Sequence, residues 1–207
     1  MDPLDSRHVD AAERLLVRGF WDDPLFVFLA PDEGKREALI AGVMRSNCEL
    51  AIDAGLARGI TQPDVRGVCL FWWPRRYPPS TLATIRRRGA AILRGTARGQ
   101  LEVGGLVRAL RFGELIDESL PRGEDYFYLM LLGVDPDHHG RGLGSAMLRE
   151  CTRAADEARL PAYLETSREQ NLRLYRRHGF EVFRVACVDG SPPLWSMRRP
   201  PARLRAL

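Results

Sequence analysis

Apolar and polar positions alternate along the chain with two periods, and the switches between them mark its elements. Val9, Ala12, Leu15 and Leu16 recur at helical spacing between Ser6 and Gly19, which predicts a first helix over about residues 7–18. Asp32 opens a longer helical pattern through Ile40, Val43, Met44, Asn47, Leu50 and Ala54, closed by Gly55. Between them, Phe20-Trp21-Asp22-Asp23-Pro24 reads as an aromatic turn and 25–29 as a short apolar piece stopped by Pro31. The period then shortens to that of strands over 56–61 and 65–73, and Gln62-Pro63-Asp64 joins the two into a hairpin. Trp72 and Trp73 end it on opposite faces, so at most one of them can address a given site.

Residues 80–120 predict one or two helices. Ser80 caps the first, and Val103, Leu106, Val107, Leu110 and Leu115 give the second an apolar stripe before Pro121. The densest apolar run is 126–134, long enough for a buried strand and too short to cross a membrane. A turn at 135–138 leads into Gly140-Arg141-Gly142-Leu143-Gly144, and Met147, Leu148, Cys151, Ala154, Ala155 and Ala158 then line one helix face. A strand over 160–165 follows, with Thr166 and Glu169 in capping-box spacing and a short helix ending at Gly179. The last strands, 180–188 and 194–198, turn back on each other at Asp189-Gly190-Ser191-Pro192-Pro193. With no repeat and no linker, residues 1–207 read as one α/β domain with a mixed sheet. Two neighbouring parallel strands, ending near Val134 and Glu165, carry the ligand between them.

Composition narrows the class. At 207 residues, 45% hydrophobic and 28% charged, the chain is an ordinary globular protein. No N-terminal apolar segment and no run near 18 apolar residues occurs, which points to the cytoplasm and to no membrane contact. Cys48, Cys69, Cys151 and Cys187 are widely spaced inside apolar patterns without a C-x-x-C pair, so buried reduced thiols are expected and no metal. Residues 75–111 hold nine arginines against one acid, Glu102, within a net charge of +4 for the whole chain. Glycines interrupt that run and no aromatics are interleaved for base stacking, so it reads as a solvated helix face and nucleic acid is not expected as a partner.

The strand, glycine loop and helix of 126–158 form a phosphate cradle, because a helix N-terminus offers unpaired N–H groups and glycines let a pyrophosphate approach them. A Walker loop is excluded, since Ser145-Ala146 stands where Lys-Ser/Thr is needed. A dinucleotide fingerprint is nearer, with Gly140, Gly142, Ser145 in the third glycine position and Glu165 as the distal acid. Against it stand the long turn after Val134 and the short chain left after Glu165.

A third reading fits better. His139-x-x-Gly142-x-Gly144 resembles the Q/R-x-x-G-x-G/A signature of the GNAT acetyltransferases, and Leu164-Glu165-Thr166-Ser167, Asn171-Leu172-x-x-Tyr175 and Gly179-Phe180 follow at that family's spacing. The likeness covers roughly Tyr126 to Phe180, with weaker echoes at Asp22-Asp23-Pro24 and 70–74. Within the family it is similar to the puromycin N-acetyltransferase branch and its actinobacterial relatives. The resemblance implies a GNAT-like, mostly antiparallel mixed sheet flanked by helices, with the cleft between splayed parallel strands. It also implies acetyl-CoA as acyl donor and a small-molecule amine as acceptor, with direct transfer and no covalent enzyme intermediate. Leu132, Gly133, Val134, His139, Gly140, Arg141, Gly142, Leu143, Gly144, Ser145 and Asn171 would contact the cofactor, and Tyr175 would be the general acid. Two positions depart from the pattern: His139 replaces Gln or Arg, and Tyr126 stands where relatives carry His. The five residues before Ser6 leave little room for the family's first strand.

Each candidate also has a plainer reading. Tyr175 shares a helix face with Leu172 and can be core, Asn171 can cap, and His178 can sit at a helix C-terminus where a cation is favourable. Glu165, at a strand end near the cleft, is the best carboxylate for a general base, or else orients substrate or pairs with an arginine. Cys151 has no base partner in the pattern, so a route through a cysteine has no support. The alternative to an enzyme is a CoA- or dinucleotide-binding module without turnover. The sequence leaves the acceptor and the oligomeric state, monomer or homodimer, open.

Overall fold

In the computed structural model, which describes residues 1–74, 76 and 103–202, the strand-period runs form one seven-stranded sheet. Its strands are β1 (Asp2–Pro3), β2 (Ala57–Ile60), β3 (Gly67–Trp72), β4 (Phe127–Val134), β5 (Ala162–Thr166), β6 (Glu181–Ala186) and β7 (Leu194–Arg199). The helices are α1 (Val9–Phe20), α2 (Pro24–Leu29), α3 (Glu33–Asp53), α4 (Val103–Ser119), α5 (Leu143–Glu157) and α6 (Glu169–Arg177). The strand order is β1-β2-β3-β4-β5-β7-β6, and β4 with β5 is the parallel pair; all the others are antiparallel. This is the mostly antiparallel GNAT-like arrangement. The dinucleotide-binding alternative needs consecutive parallel βαβ units, which this order does not contain.

Both faces of the sheet are covered, so its central strands are apolar throughout. Every residue of β3 is buried. Its side chains alternate: Cys69 and Phe71 pack with Met147, Leu148 and Cys151 of α5, while Val68 and Leu70 pack with Leu15, Leu16, Ile40 and Met44 of α1 and α3. In β4 the alternation is interrupted. Leu131 pairs with Leu70 and Leu129 with Phe71, so Met130 is an extra residue, a β-bulge. The extra residue changes which face follows: Phe127 and Leu129 pack on the α5 side, Leu131 on the α1 and α3 side. Trp72 is buried and its indole N–H donates to Met130 Sδ at 3.3 Å, while Trp73 packs on Phe71 and Phe127, so neither tryptophan lines the cleft.

Gly133 is a point of close approach between layers. A Cβ there would run into Leu16 Cδ2, and Leu16 is fully buried. Gly133→Val therefore pushes α1 off β4. Overpacking of this kind costs about 1–3 kcal/mol, and at roughly 2–4 °C per kcal/mol for a chain of this size the melting temperature falls accordingly. Calorimetric melting of the variant checks it; an unchanged midpoint would show that Leu16 has room to move.

Several expectations need correction. The first helix starts from a 3-10 turn capped by Asp5, whose side chain accepts from Arg7 N at 3.0 Å, and it runs through Gly19 to Phe20. A first strand does exist, as the two residues of β1 paired with β2. In α4 Phe112, Leu115 and Ser119 are buried, whereas Val107 and Leu110 are exposed. On α5 the buried face includes Thr152, and Ala158 is exposed. Cys187 is exposed; the other three cysteines are buried. Thr166 ends β5, and the N-cap of α6 is Arg168 without a side-chain cap bond, so the capping box does not form. The helix expected from Ser80 and most of the basic run lie outside the described residues.

Candidate active site

The parallel pair is held together only at its start. Phe127 aligns with Ala162 and Tyr128 with Tyr163, Phe127 N donates to Pro161 O at 2.9 Å, and beyond Tyr128 no further register continues. From Leu129 onward the two strands splay, which frees the β5-facing backbone groups of β4 for something other than a strand. Leu132, Gly133 and Val134 lie on this splayed part.

The glycine loop sits at the open end of the splay. Gly140 and Gly142 adopt φ of 75° and 79°, and Gly142 is the N-cap of α5 with no side-chain cap bond. Ala146 N is the first amide to bond back, to Gly142 O at 2.9 Å, leaving the N–H groups of Leu143, Gly144 and Ser145 without intrahelical acceptors. A Cβ at Gly140 or Gly142 would meet nothing within 4 Å, so space stands in front of these donors, and Arg141 is exposed beside them. Loop and helix terminus fit a pyrophosphate. The exposed ring of His139 bonds to Val134 O at 3.0 Å through Nε2, tying the loop to the end of β4. Ser145 Oγ lies 2.6 Å from His178 Nε2. His178 is the C-cap of α6, the helix end where the sequence puts it; burial, with Arg149, Arg177 and Arg199 nearby, pushes its pKa down, so it favours the neutral form there and not the cation.

Between β4, β5 and the helices α2, α3 and α4 runs a cavity of about 600 Å³, within the size range of small-molecule sites. It brings together Glu165, Asn171 and Tyr175 with Asp23 and Tyr128. Tyr175 is buried, 7% exposed, and packs edge-on against Phe180. Among the described residues its hydroxyl has no hydrogen-bond partner. Burial, and then the nearby Cys69 and Asp23 side chains, push its pKa up, so it holds its proton. Asn171 Nδ2 bonds Thr166 Oγ1 at 3.4 Å, which places the carboxamide at the mouth of β5.

Glu165 sits in apolar surroundings. Burial pushes its pKa up to about 7, opposed by a hydrogen bond from the Tyr128 hydroxyl and assisted by Asp117. Its hydrogen-bonding neighbour is a tyrosine and not an arginine. Asp23 is the residue the sequence reading passed over. It caps α2 through Leu25 N at 3.0 Å, accepts from Ser167 Oγ at 2.8 Å, is only 7% exposed, and has its pKa raised by burial against those bonds and Arg168. Two carboxylates thus stand in one apolar cavity with a protonated tyrosine.

The raised pKa of Glu165 has a consequence for stability. Below the ordinary carboxyl value of 4.5 the side chain is protonated both folded and unfolded. Between 4.5 and about 7 the unfolded chain releases that proton and the folded one keeps it, so stability falls with rising pH across this window. Glu165→Gln, which is neutral throughout, should melt with the wild type at pH 4 and above it at pH 8. Equal melting temperatures at both values would place Glu165 in a solvated setting.

The acetyltransferase (GNAT) domain family matches residues 101–182, a span that includes β4, the glycine loop, α5, β5 and α6. Over those residues the chain is similar to a GNAT acetyltransferase domain. An uncharacterised N-acetyltransferase of Schizosaccharomyces pombe is 24% identical over 187 residues, covering 86% of this chain and 72% of the relative. Among solved structures, the Corynebacterium glutamicum "histone acetyltransferase HPA2 and related acetyltransferase" shares 20% identity at a TM-score of 0.59, over 99% of this chain and 97% of the other. Arylalkylamine N-acetyltransferase 2 of Aedes aegypti shares 13% identity at 0.63, over 96% and 97%. These likenesses show the same fold. The likeness to the puromycin N-acetyltransferase branch rests on sequence motifs alone. Among the described residues no helix is long and apolar enough to cross a membrane, and no group of three or more potential metal-binding side chains occurs.

Proposed function

We propose that the protein moves an acetyl group from acetyl-CoA to the amine of a small molecule by direct transfer. The observation that carries this is the placement of one splayed strand pair between two unlike ends: the glycine cradle outside it, and the cavity holding Glu165, Asp23 and Tyr175 behind it. Acetyl-CoA supplies a thioester, whose diphosphate the loop 139–145 would hold and whose acyl oxygen the backbone near Leu132–Val134 would face.

The acceptor arrives as an ammonium ion. Glu165, poised near neutrality, accepts its proton, and the neutral nitrogen then attacks the acyl carbon as the carbon–sulfur bond breaks. Tyr175 gives its hydroxyl proton to the departing sulfur and is restored by the proton that the new amide nitrogen loses, so the products are an amide and a free thiol. Asp23, held by Ser167, adds negative charge that attracts the ammonium group. The Aedes aegypti enzyme acts, by its name, on arylalkylamines; the apolar walls here, which include Phe20, Phe26 and Leu29, support an acceptor of the same general kind, an amine on an apolar body.

Thiol release from acetyl-CoA in the presence of a panel of amines, with the acetylated product identified by mass, tests the reading. Release that depends on both substrates is the expected result. Tight acetyl-CoA binding with no release for any amine would assign the chain to the non-catalytic binding modules instead.

A further inference from the structure

Away from Tyr175 and Glu165 the cavity continues into the gap between α3 and α4, and the residues there are unusual for helix interiors. Gly42 lies in the middle of α3 and Gly113 in α4; both line the cavity. A Cβ built at either meets nothing within 4 Å, so no neighbouring backbone or side chain requires glycine at these positions. A glycine in a helix interior costs about 1 kcal/mol relative to alanine. What the two glycines provide is volume, from both sides of the same gap. Leu39 and Leu110 make its walls apolar.

One turn beyond Gly42, on the same helix face, the gap ends in two consecutive polar residues, Ser46 and Asn47. Ser46 is more than nine-tenths buried and its Oγ has no hydrogen-bond partner among the described residues. A serine inside a helix usually satisfies itself on the carbonyl four residues back, as Ser119 does on Leu115 O at 2.7 Å. Ser46 does not, and a buried hydroxyl left unpaired is costly. The Asn47 carboxamide also lacks a hydrogen-bond partner among the described residues. Two unspent polar side chains at the end of an apolar slot form a recognition point.

We infer that the acceptor's body lies between α3 and α4: a ring-sized apolar group carrying a hydrogen-bonding substituent at the end far from the amine. Gly42 and Gly113 set the size it can have, and Asn47 with Ser46, after a turn of its hydroxyl toward the slot, reads the distal polar group. The inference rests on the proposed acetyl transfer for the word acceptor, but its test does not depend on turnover.

Tyramine and 2-phenylethylamine, which differ by one distal hydroxyl, serve as probes, with ethylamine as the small control. Calorimetric titration of the wild type should show tyramine binding about 5- to 10-fold tighter than 2-phenylethylamine, the share of one hydrogen bond. In the double variant Ser46→Ala with Asn47→Ala that ratio should fall to about one. Gly42→Leu and Gly113→Leu should each weaken both aromatic amines at least about tenfold, with acetyl-CoA affinity and thiol release from ethylamine within about twofold of wild type. Gly42→Ala and Gly113→Ala, which only raise helix propensity, should give the same order with smaller steps and decide the matter if the leucine variants melt early. Aromatic amines that fail to bind the wild type, or that bind all four glycine variants unchanged, overturn the inference. If tyramine binding depends on Gly42 while no amine releases thiol, the slot stands and the catalytic reading falls. If ethylamine turns over and the glycine variants leave tyramine untouched, the reverse holds.

Discussion

Tyr175→Phe should lower turnover by about 10²–10⁴ while acetyl-CoA binding and melting temperature stay near those of the wild type. The expectation comes from three features of one hydroxyl. It lines the cavity, it has no hydrogen-bond partner among the described residues, and its pKa is raised, so the proton is still on the oxygen when the sulfur departs. Removing a hydroxyl that bonds nothing among the described residues costs no hydrogen bond to them, and the phenylalanine ring keeps the edge-on packing against Phe180. A purely structural tyrosine would give the opposite pair of results, with turnover intact and melting altered. The loss should fall toward the lower end of the range, because thiolates depart with less assistance than alkoxides. Steady-state rates at saturating amine and cofactor, with melting recorded alongside, decide between the two. Near-normal turnover at saturation would mean another group, or water, protonates the sulfur.

The parts of this site that were legible in the sequence share a physical property: they are local. The run 127–134 is apolar over its whole length because both of its faces are covered, and a glycine loop that must expose backbone donors leaves glycines in the text of the sequence. Tyr175 and Glu165 can be named as candidates because each lies within one element whose neighbours form a recognisable spacing. Asp23 was not found as a site residue, because its meaning lies in Ser167, 144 residues away, and in burial that no local pattern displays. A sequence signal was present all the same: an aspartate directly before a proline that opens an apolar helix is an N-cap, and a cap carboxylate among buried residues has few waters to solvate it.

Other misses follow the same logic. The bulge at Met130 belongs to the pairing of β3 with β4 and to neither strand alone, so nothing along β4 displays it. In α4, Val107 and Leu110 extend the apolar pattern, yet the side of the helix that is covered is the one carrying Phe112 and Leu115, which pack with Leu194 of β7. An apolar residue at a helical position states that burial is permitted there, and only tertiary packing decides whether it occurs. The slot at Gly42 and Gly113 is not legible in the sequence for a related reason, since a glycine in a helical pattern does not say whether it admits a neighbour's backbone or widens a cavity.

Gly142→Asp should weaken acetyl-CoA binding by at least about 10²-fold without unfolding the domain. The site offers the side chain open space, and aspartate tolerates positive φ better than most residues, so the backbone strain is limited to about 1 kcal/mol. At the N-cap of α5 the new carboxylate is itself a good helix cap, since it can accept from the N–H groups of Gly144 or Ser145 and sits at the positive end of the helix dipole. Those are the donors a pyrophosphate requires. The variant therefore loses affinity twice, once because the donors are taken and once because a negative charge faces the diphosphate across a few ångströms of partly desolvated space. Gly142→Ala shares the strain and lacks the charge, and should stay within about tenfold of the wild type. Calorimetric titration of both variants separates strain from electrostatics, and the aspartate variant should keep a melting temperature close to that of the alanine variant. NADH, titrated in parallel, should bind none of the three proteins, because the described residues hold no second parallel unit for its nicotinamide half. Acetyl-CoA affinity unchanged in Gly142→Asp would move the cofactor's diphosphate away from this loop and take the proposed transfer chemistry with it.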